Sequence, residues 1–158
     1  MIQRVQSVFL FLIVVAMVTL FFVPIWAKTN PADGQEWVLN AFKLAPANAT
    51  AETASTNTIF IAILAGAAAL IALFEIFQYK NRLTQMKLGL LNSLVMAALM
   101  GFAFYYSSYV GEDLVKTNGQ GDYLSGFYLP AVGLLMNVLA NRFIKRDEDL
   151  VRSMDRLR

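Results

Sequence analysis

One carboxylate, Glu75, sits near the end of a long apolar run, five positions ahead of Lys80. An ionisable group at membrane depth is costly to keep there and by default marks an ion, proton or small-ligand site. Reflecting the chain about the basic turn at residues 80–87 sets Asn92 opposite Glu75. Asn92 stands five residues after Lys87, and Asn137 stands five before Arg142, the same offset that separates Glu75 from Lys80. Gln6 falls near this level at the start of the chain. These four side chains predict a polar layer just inside one membrane boundary, with Arg4 or Arg142 as counter-charge. Such a layer could hold a proton or a small ligand. The competing reading is an interhelical clamp, each hydrogen bond worth ~0.6–2 kcal/mol in a membrane setting. A single acid makes a thin proton relay, so the clamp is the favoured expectation.

Composition narrows the chemistry further. The chain has no Cys and no His, which removes disulfides, thiolate metal sites, the usual haem ligand and the commonest general base. No nucleotide-binding glycine loop, no nucleophile beside a base and no metal cluster can be found in the sequence, so no cofactor and no enzymatic activity are expected. A net charge of +2, without basic and aromatic residues interleaved, gives no footprint for nucleic acid.

The elements that must position the layer are membrane helices. Only 15% of the residues are charged and 58% are hydrophobic, with a mean hydropathy of +0.54. Four windows (residues 5–27, 53–74, 88–111 and 123–141) contain no charge at all. Each is about 20 residues long, the length that crosses a hydrocarbon core at about 1.5 Å per residue. We therefore expect an all-α integral membrane protein, a single four-helix domain over 1–158, with spans near 7–26, 59–79, 88–109 and 123–142. The first span could be mistaken for a signal peptide, but it is about twice the usual apolar length and ends in Phe21-Phe22-Val23-Pro24-Ile25-Trp26; an uncleaved helix is expected.

Basic residues orient these spans. Arg4, Lys80, Arg82, Lys87, Arg142, Lys145, Arg146, Arg152, Arg156 and Arg158 all fall on one side. The other side has Lys28, Lys43 and Lys116 against six acids. The basic side is cytosolic, which puts both termini inside. The loop 28–58 is then exported. Trp37, Ala41 and Leu44 would suit a helix there, while Val38, Phe42 and Leu44 would suit a strand; a short hairpin or extended segment on the membrane surface is expected, with residues 45–58 mobile. Asn48-Ala49-Thr50 matches a glycosylation acceptor, a short pattern that ordinary loops also carry. Residues 111–122 read as a short acidic loop.

The last twenty residues run from an apolar helix into a charged tail with no Gly or Pro to stop them, and hold ten of the chain's 24 charged residues. Phe143, Leu150, Met154 and Leu157 recur at helical spacing, too few for an independent coiled coil. Glu148 with Arg152, Asp155 with Arg158 and Arg142 with Asp147 could pair along the tail. Interleaved acids argue against a lipid-bound face, so a partner protein is expected over lipid or another copy. On the third span, Gly89, Ser93, Ala97 and Gly101 form a ladder of small residues. With the alanines of the second span it predicts a tight hairpin between the two.

Two stretches carry a family resemblance: Met1-Ile2-Gln3-Arg4-Val5-Gln6-Ser7, and the Leu139-Ala140-Asn141-Arg142 start and Leu150-Val151-Arg152-Ser153-Met154-Asp155-Arg156-Leu157-Arg158 finish of the tail. The sequence resembles an uncharacterised group of small Bacteroidota membrane proteins, domain-of-unknown-function family 4293. The resemblance implies a bacterial inner-membrane location and brings no activity with it. The expected function is an accessory or scaffolding subunit of a larger inner-membrane complex. Partners would be met through Arg142, Phe143, Arg146, Leu150, Arg152, Met154, Leu157, Arg4, Lys80, Arg82 and Lys87. The alternative is a small homo-oligomeric transporter or channel constricted at Glu75, Asn92 and Asn137.

Overall fold

A computed structural model of the chain describes residues 3–31, 34–48, 55–79, 81–115 and 121–155. Its long helices are α1 (Gln3–Thr19), α2 (Ile59–Phe77), α3 (Arg82–Tyr105) and α5 (Ser125–Asp155). A π-helical segment, Tyr106–Gly111, and a short α4 (Glu112–Val115) continue α3 without a break. Helix α1 packs on α2 and α5, and α3 also packs on α2 and α5. The four close a ring in up-down-up-down order.

Three stretches are long and apolar enough to cross a membrane: Ile59–Phe77, Arg82–Val115 and Ser125–Ser153. Helix α1 is also apolar but shorter, with 17 residues where about 20 were expected. It ends at Thr19 in a turn (Leu20 to Phe22) ahead of Pro24, whose ring bars the helical conformation at the residue before it. The third span is longer than expected at both ends, because Asn81 caps α3 through its side chain (Thr84 N to Oδ1, 3.2 Å) and the π segment carries the helix on past Tyr105.

The fold is not purely helical. Strands β1 (Trp26–Thr29), β2 (Glu36–Leu39), β3 (Lys43–Pro46), β4 (Thr56–Asn57) and β5 (Asp122–Tyr123) form one antiparallel sheet in the order β4-β3-β2-β1-β5. The expected extended segment is thus a four-strand meander, and β5 joins it from the far side of the chain. Residues 45–46 and 56–57 of the stretch expected to be mobile are strand; residues 49–54 lie outside the described residues. The register puts Tyr123, Trp26, Leu39 and Leu44 in one cross-strand row. Trp26, Leu39 and Leu44 are fully buried and belong to the same core cluster as Leu10, Met17, Ala65 and Leu99 of the helices. One face of the sheet therefore closes the end of the ring where α1 ends and α2 begins. Thr58 fastens that end, its Oγ1 donating to the Asn40 carbonyl at 3.0 Å and its N–H to Phe42 O at 3.0 Å.

Two further expectations change. The region after Gly111 is helix as far as Val115, and Glu112 forms an ion pair with the buried Lys28 of β1. The acidic loop over 111–122 was inferred from charge; the partner of Glu112 lies 84 residues away and leaves no local trace. The small-residue ladder also divides. Gly89 is buried, Ser93 is half-buried, and Ala97 and Gly101 are exposed. A Cβ at Gly89 would come within 2.5 Å of Asn141 Nδ2, so this glycine serves close approach to α5 rather than to α2. The small face of α2 does pack inward, through Ala62, Ala65, Ala68 and Ala72.

Candidate functional site: a buried polar layer in the helix ring

The ends of α2, α3 and α5 away from the sheet are set by a few cross-helix contacts. Arg82, at the start of α3, bonds Asp147 of α5 through both its carboxylate (Nη2 to Oδ2, 2.9 Å) and its backbone carbonyl (2.8 Å), with Glu148 3.9 Å away. Asp147 and Glu148 thus face α3, not Arg142 or Arg152 as their spacing on the tail suggested. On α1, Phe9 stacks on Phe143 with ring centroids 5.7 Å apart.

Inside this framework Glu75, Asn92 and Asn137 are fully buried, and Gln6 nearly so. All four are thus inside the helix ring, though Gln6 does not share the level expected of it. Asn137 donates from Nδ2 to Gly89 O at 2.6 Å and to Ser93 Oγ at 2.7 Å, which ties α5 to α3 and levels Asn137 with Asn92. Glu75 is held from the other side, its backbone carbonyl accepting from Gln85 Nε2 at 3.2 Å. Helical side chains slant toward their own N-terminus. The Glu75 side chain therefore runs away from the turn, but its backbone is met by Gln85, seven residues before Asn92, and not by Asn92 as reflection about the turn suggested. Gln6 stands nearer the chain's first turn, because α1 is registered by Phe9 against Phe143, six residues beyond Asn137.

The layer separates into two kinds of group. The amide nitrogen of Asn137 is doubly bonded and makes the clamp that was expected. Both oxygens of Glu75, both polar side-chain atoms of Asn92, Asn137 Oδ1, Asn141 Oδ1 and Gln6 Nε2 are buried without a hydrogen-bond partner. Buried polar atoms in folded proteins are almost always paired, and a carboxylate in a low-dielectric interior is the costliest of them to leave alone. Unpaired buried oxygen acceptors of this kind suit a proton, a small cation or ordered water. Neither Arg4 nor Arg142 is seen as counter-charge: Arg142 is exposed, and the Arg4 side chain is outside the described residues. Gln85 and Asn141 are members the sequence reading missed. Asn141 follows Asn137 by one helical turn, a signal that was available; Gln85 follows Glu75 by ten residues across the turn, a spacing that carries no signal by itself.

The expected partner-binding residues fall around the same end. Arg142, Arg146, Leu150 and Arg152 of α5 and Lys87 of α3 are exposed. Arg142, Lys145, Arg146, Asp149, Leu150 and Ser153 line one shallow, open depression along α5. Phe143 is half-buried on Phe9, and Arg82 is engaged with α5. Lys80 and Leu157 lie outside the described residues, and Met154 is described only as part of the helix.

Sequence comparison matches residues 2–157 to the family described as a domain of unknown function, DUF4293. The chain belongs to the DUF4293 family. The match takes in the polar layer, the sheet and both ends on which the resemblance was first seen. No curated protein matches this DUF4293 chain.

Proposed function

We propose that the chain is a bacterial inner-membrane protein with four crossings, α1 among them, and both termini in the cytosol, and that it serves as a non-enzymatic accessory or scaffolding subunit. The orientation rests on the ten basic residues assigned to the turn and termini against three elsewhere. The role rests on one observation: α5 continues to Asp155, beyond the level at which Arg82 opens α3. Leu150 is 49% exposed and Val151 39% exposed on this projecting part. The depression beside them carries Arg142, Lys145 and Arg146 against the single acid Asp149, which suits an acidic protein segment with an apolar anchor. The test is gentle purification in mild detergent with mass spectrometry of whatever travels with the chain. Stoichiometric foreign proteins that are lost on deleting residues 145–158 are the expected outcome. A homo-oligomer of fixed mass, unaffected by the deletion, would overturn the proposal.

A second reading, ion or proton translocation, is favoured by the unpartnered carboxylate of Glu75. Glu75, Asn92 and Asn137 are buried within one chain, so the path would run through each bundle rather than between copies. Flux in proteoliposomes that disappears in Glu75→Gln, with the fold intact, would establish this reading in place of the first.

A further inference from the structure

Helix α5 packs on α1 and α3 and buries Asn137, Ala140 and Ile144. On its outer side Val132, Leu135, Val138 and Leu139 are exposed, at the three- and four-residue steps of one helix stripe. In a bilayer this stripe meets lipid. Arg142 follows Val138 by four positions and Leu139 by three; Lys145 and Arg146 follow Arg142 by three and four. The lipid-facing stripe therefore runs straight into the depression that Arg142, Lys145 and Arg146 line. All three bases are exposed, and among the described residues none is in an ion pair.

Depth decides what they can meet. Residues 123–141 carry no charge, so Arg142 marks the edge of the hydrocarbon. A bilayer of ~40–45 Å with a ~30 Å core leaves a headgroup layer of ~5–8 Å on each side. At ~1.5 Å per residue, Arg146 stands ~6 Å past Arg142, within that layer, and Asp149 stands ~10 Å past it, outside. Interleaved acids would disfavour a lipid face. Here Asp147 and Glu148 are turned to Arg82 of α3, and Asp149 lies too far out. On the lipid side the headgroup layer thus meets bases alone.

We propose that Arg142, Lys145 and Arg146 hold the phosphate of an anionic phospholipid. Two guanidinium forks and an ammonium suit phosphate oxygens. A zwitterionic headgroup would bring its own ammonium among three cations, so a headgroup with net negative charge is preferred. The inference goes beyond the partner reading and does not depend on it. Leu150 and Val151, which carry that reading, stand ~12 Å or more past Arg142, outside the headgroup layer.

The test is native mass spectrometry of the full chain, released from nanodiscs of phosphatidylglycerol and phosphatidylethanolamine in equal parts. Phosphatidylglycerol is expected to be retained in preference. Arg142→Gln, Lys145→Gln and Arg146→Gln should each lower the preference about fivefold. Arg152→Gln removes an exposed base of the same tail, ~15 Å past Arg142 and beyond the screening length, and should leave the preference unchanged. Equal retention of the two lipids, in protein of native circular dichroism, would overturn the proposal. So would a preference that the three inner variants leave intact, or that Arg152→Gln lowers as much as they do. A second copy or a foreign protein lost in the inner variants, with both lipids retained alike, would give these bases to that occupant instead.

Discussion

Replacing Glu75 and Asn137 by apolar residues of similar size should change stability in opposite directions, although both are fully buried members of one layer. Asn137→Leu removes two hydrogen bonds, to Gly89 O and Ser93 Oγ. At ~0.6–1.7 kcal/mol each in a membrane setting, the loss is at most ~1–3 kcal/mol, offset in part because the unpartnered Asn137 Oδ1 goes as well. The lower part of that range applies if Ser93 Oγ keeps its own bond to Gly89 O at 3.1 Å. Glu75→Met removes two oxygens that have no partner, and the bond from Gln85 survives because it is made to the Glu75 backbone. Removing an unsatisfied buried group relieves ~1–3 kcal/mol, so this variant should be more stable than the parent. Reversible unfolding in mixed micelles with rising denaturing detergent, followed by circular dichroism, measures both. The expected separation between the two variants is at most ~2–6 kcal/mol, the sum of the two effects before the relief from losing Asn137 Oδ1 is taken off. A loss at Glu75→Met as large as that at Asn137→Leu would refute the reasoning, because it would mean that the carboxylate is itself bonded and belongs to the clamp.

Four further outcomes follow from the same geometry. Gly89→Ala should cost ~1–3 kcal/mol by overpacking against Asn141, whereas Gly101→Ala, with nothing within 4 Å, should be neutral or stabilising by up to ~1 kcal/mol; the same unfolding assay distinguishes them. Arg82→Gln should lower stability by ~1 kcal/mol or less, since its partners are partly solvated, yet it should speed amide exchange in the last turns of α5, read by mass spectrometry. Lys28→Met or Glu112→Gln alone should each destabilise more than the double variant does, because each single change strands the remaining charge of the pair. Trp26→Ala should cost ~3–5 kcal/mol, as this fully buried ring joins the sheet to the helices, and should be seen as loss of the folded species on gel filtration.

The helices were legible because an apolar run of about 20 residues needs no other segment to explain it. The burial of Glu75, Asn92 and Asn137 was legible too, since polar residues inside apolar runs have little but the interior of the helix ring to turn to; their levels were not, since Gln85 and not Asn92 meets Glu75. The sheet was not. Its longest strands have four residues, and Val38, Phe42 and Leu44 read equally as two periods. What fixes the pattern is the row from Tyr123 through Trp26 and Leu39 to Leu44, in which Tyr123 arrives from almost 100 residues away. Two of the charge pairs failed for the same reason, while Asp155 with Arg158 lies outside the described residues. Spacing along the tail offered Arg142 to Asp147, but side chains at i and i+5 diverge on a helix, and Arg82 of a neighbouring helix reaches Asp147 directly.

These distant pairings also account for how the layer keeps its unpartnered atoms. At one end the sheet is locked to α4 by Lys28 with Glu112 and to α2 by Thr58; at the other, α3 is locked to α5 by Arg82. Between them the alanines of α2 and the glycine at position 89 bring the backbones close, and Asn137 sets the spacing of α3 and α5. With both ends and the spacing fixed, Glu75 and Asn92 cannot relax toward new partners by sliding one helix past another. A layer of unmet oxygens in a loose bundle would collapse into fortuitous bonds. In this one the helices are fixed by contacts that do not involve the Glu75 side chain, which is why Glu75→Met should raise stability while leaving the arrangement of the four helices unchanged.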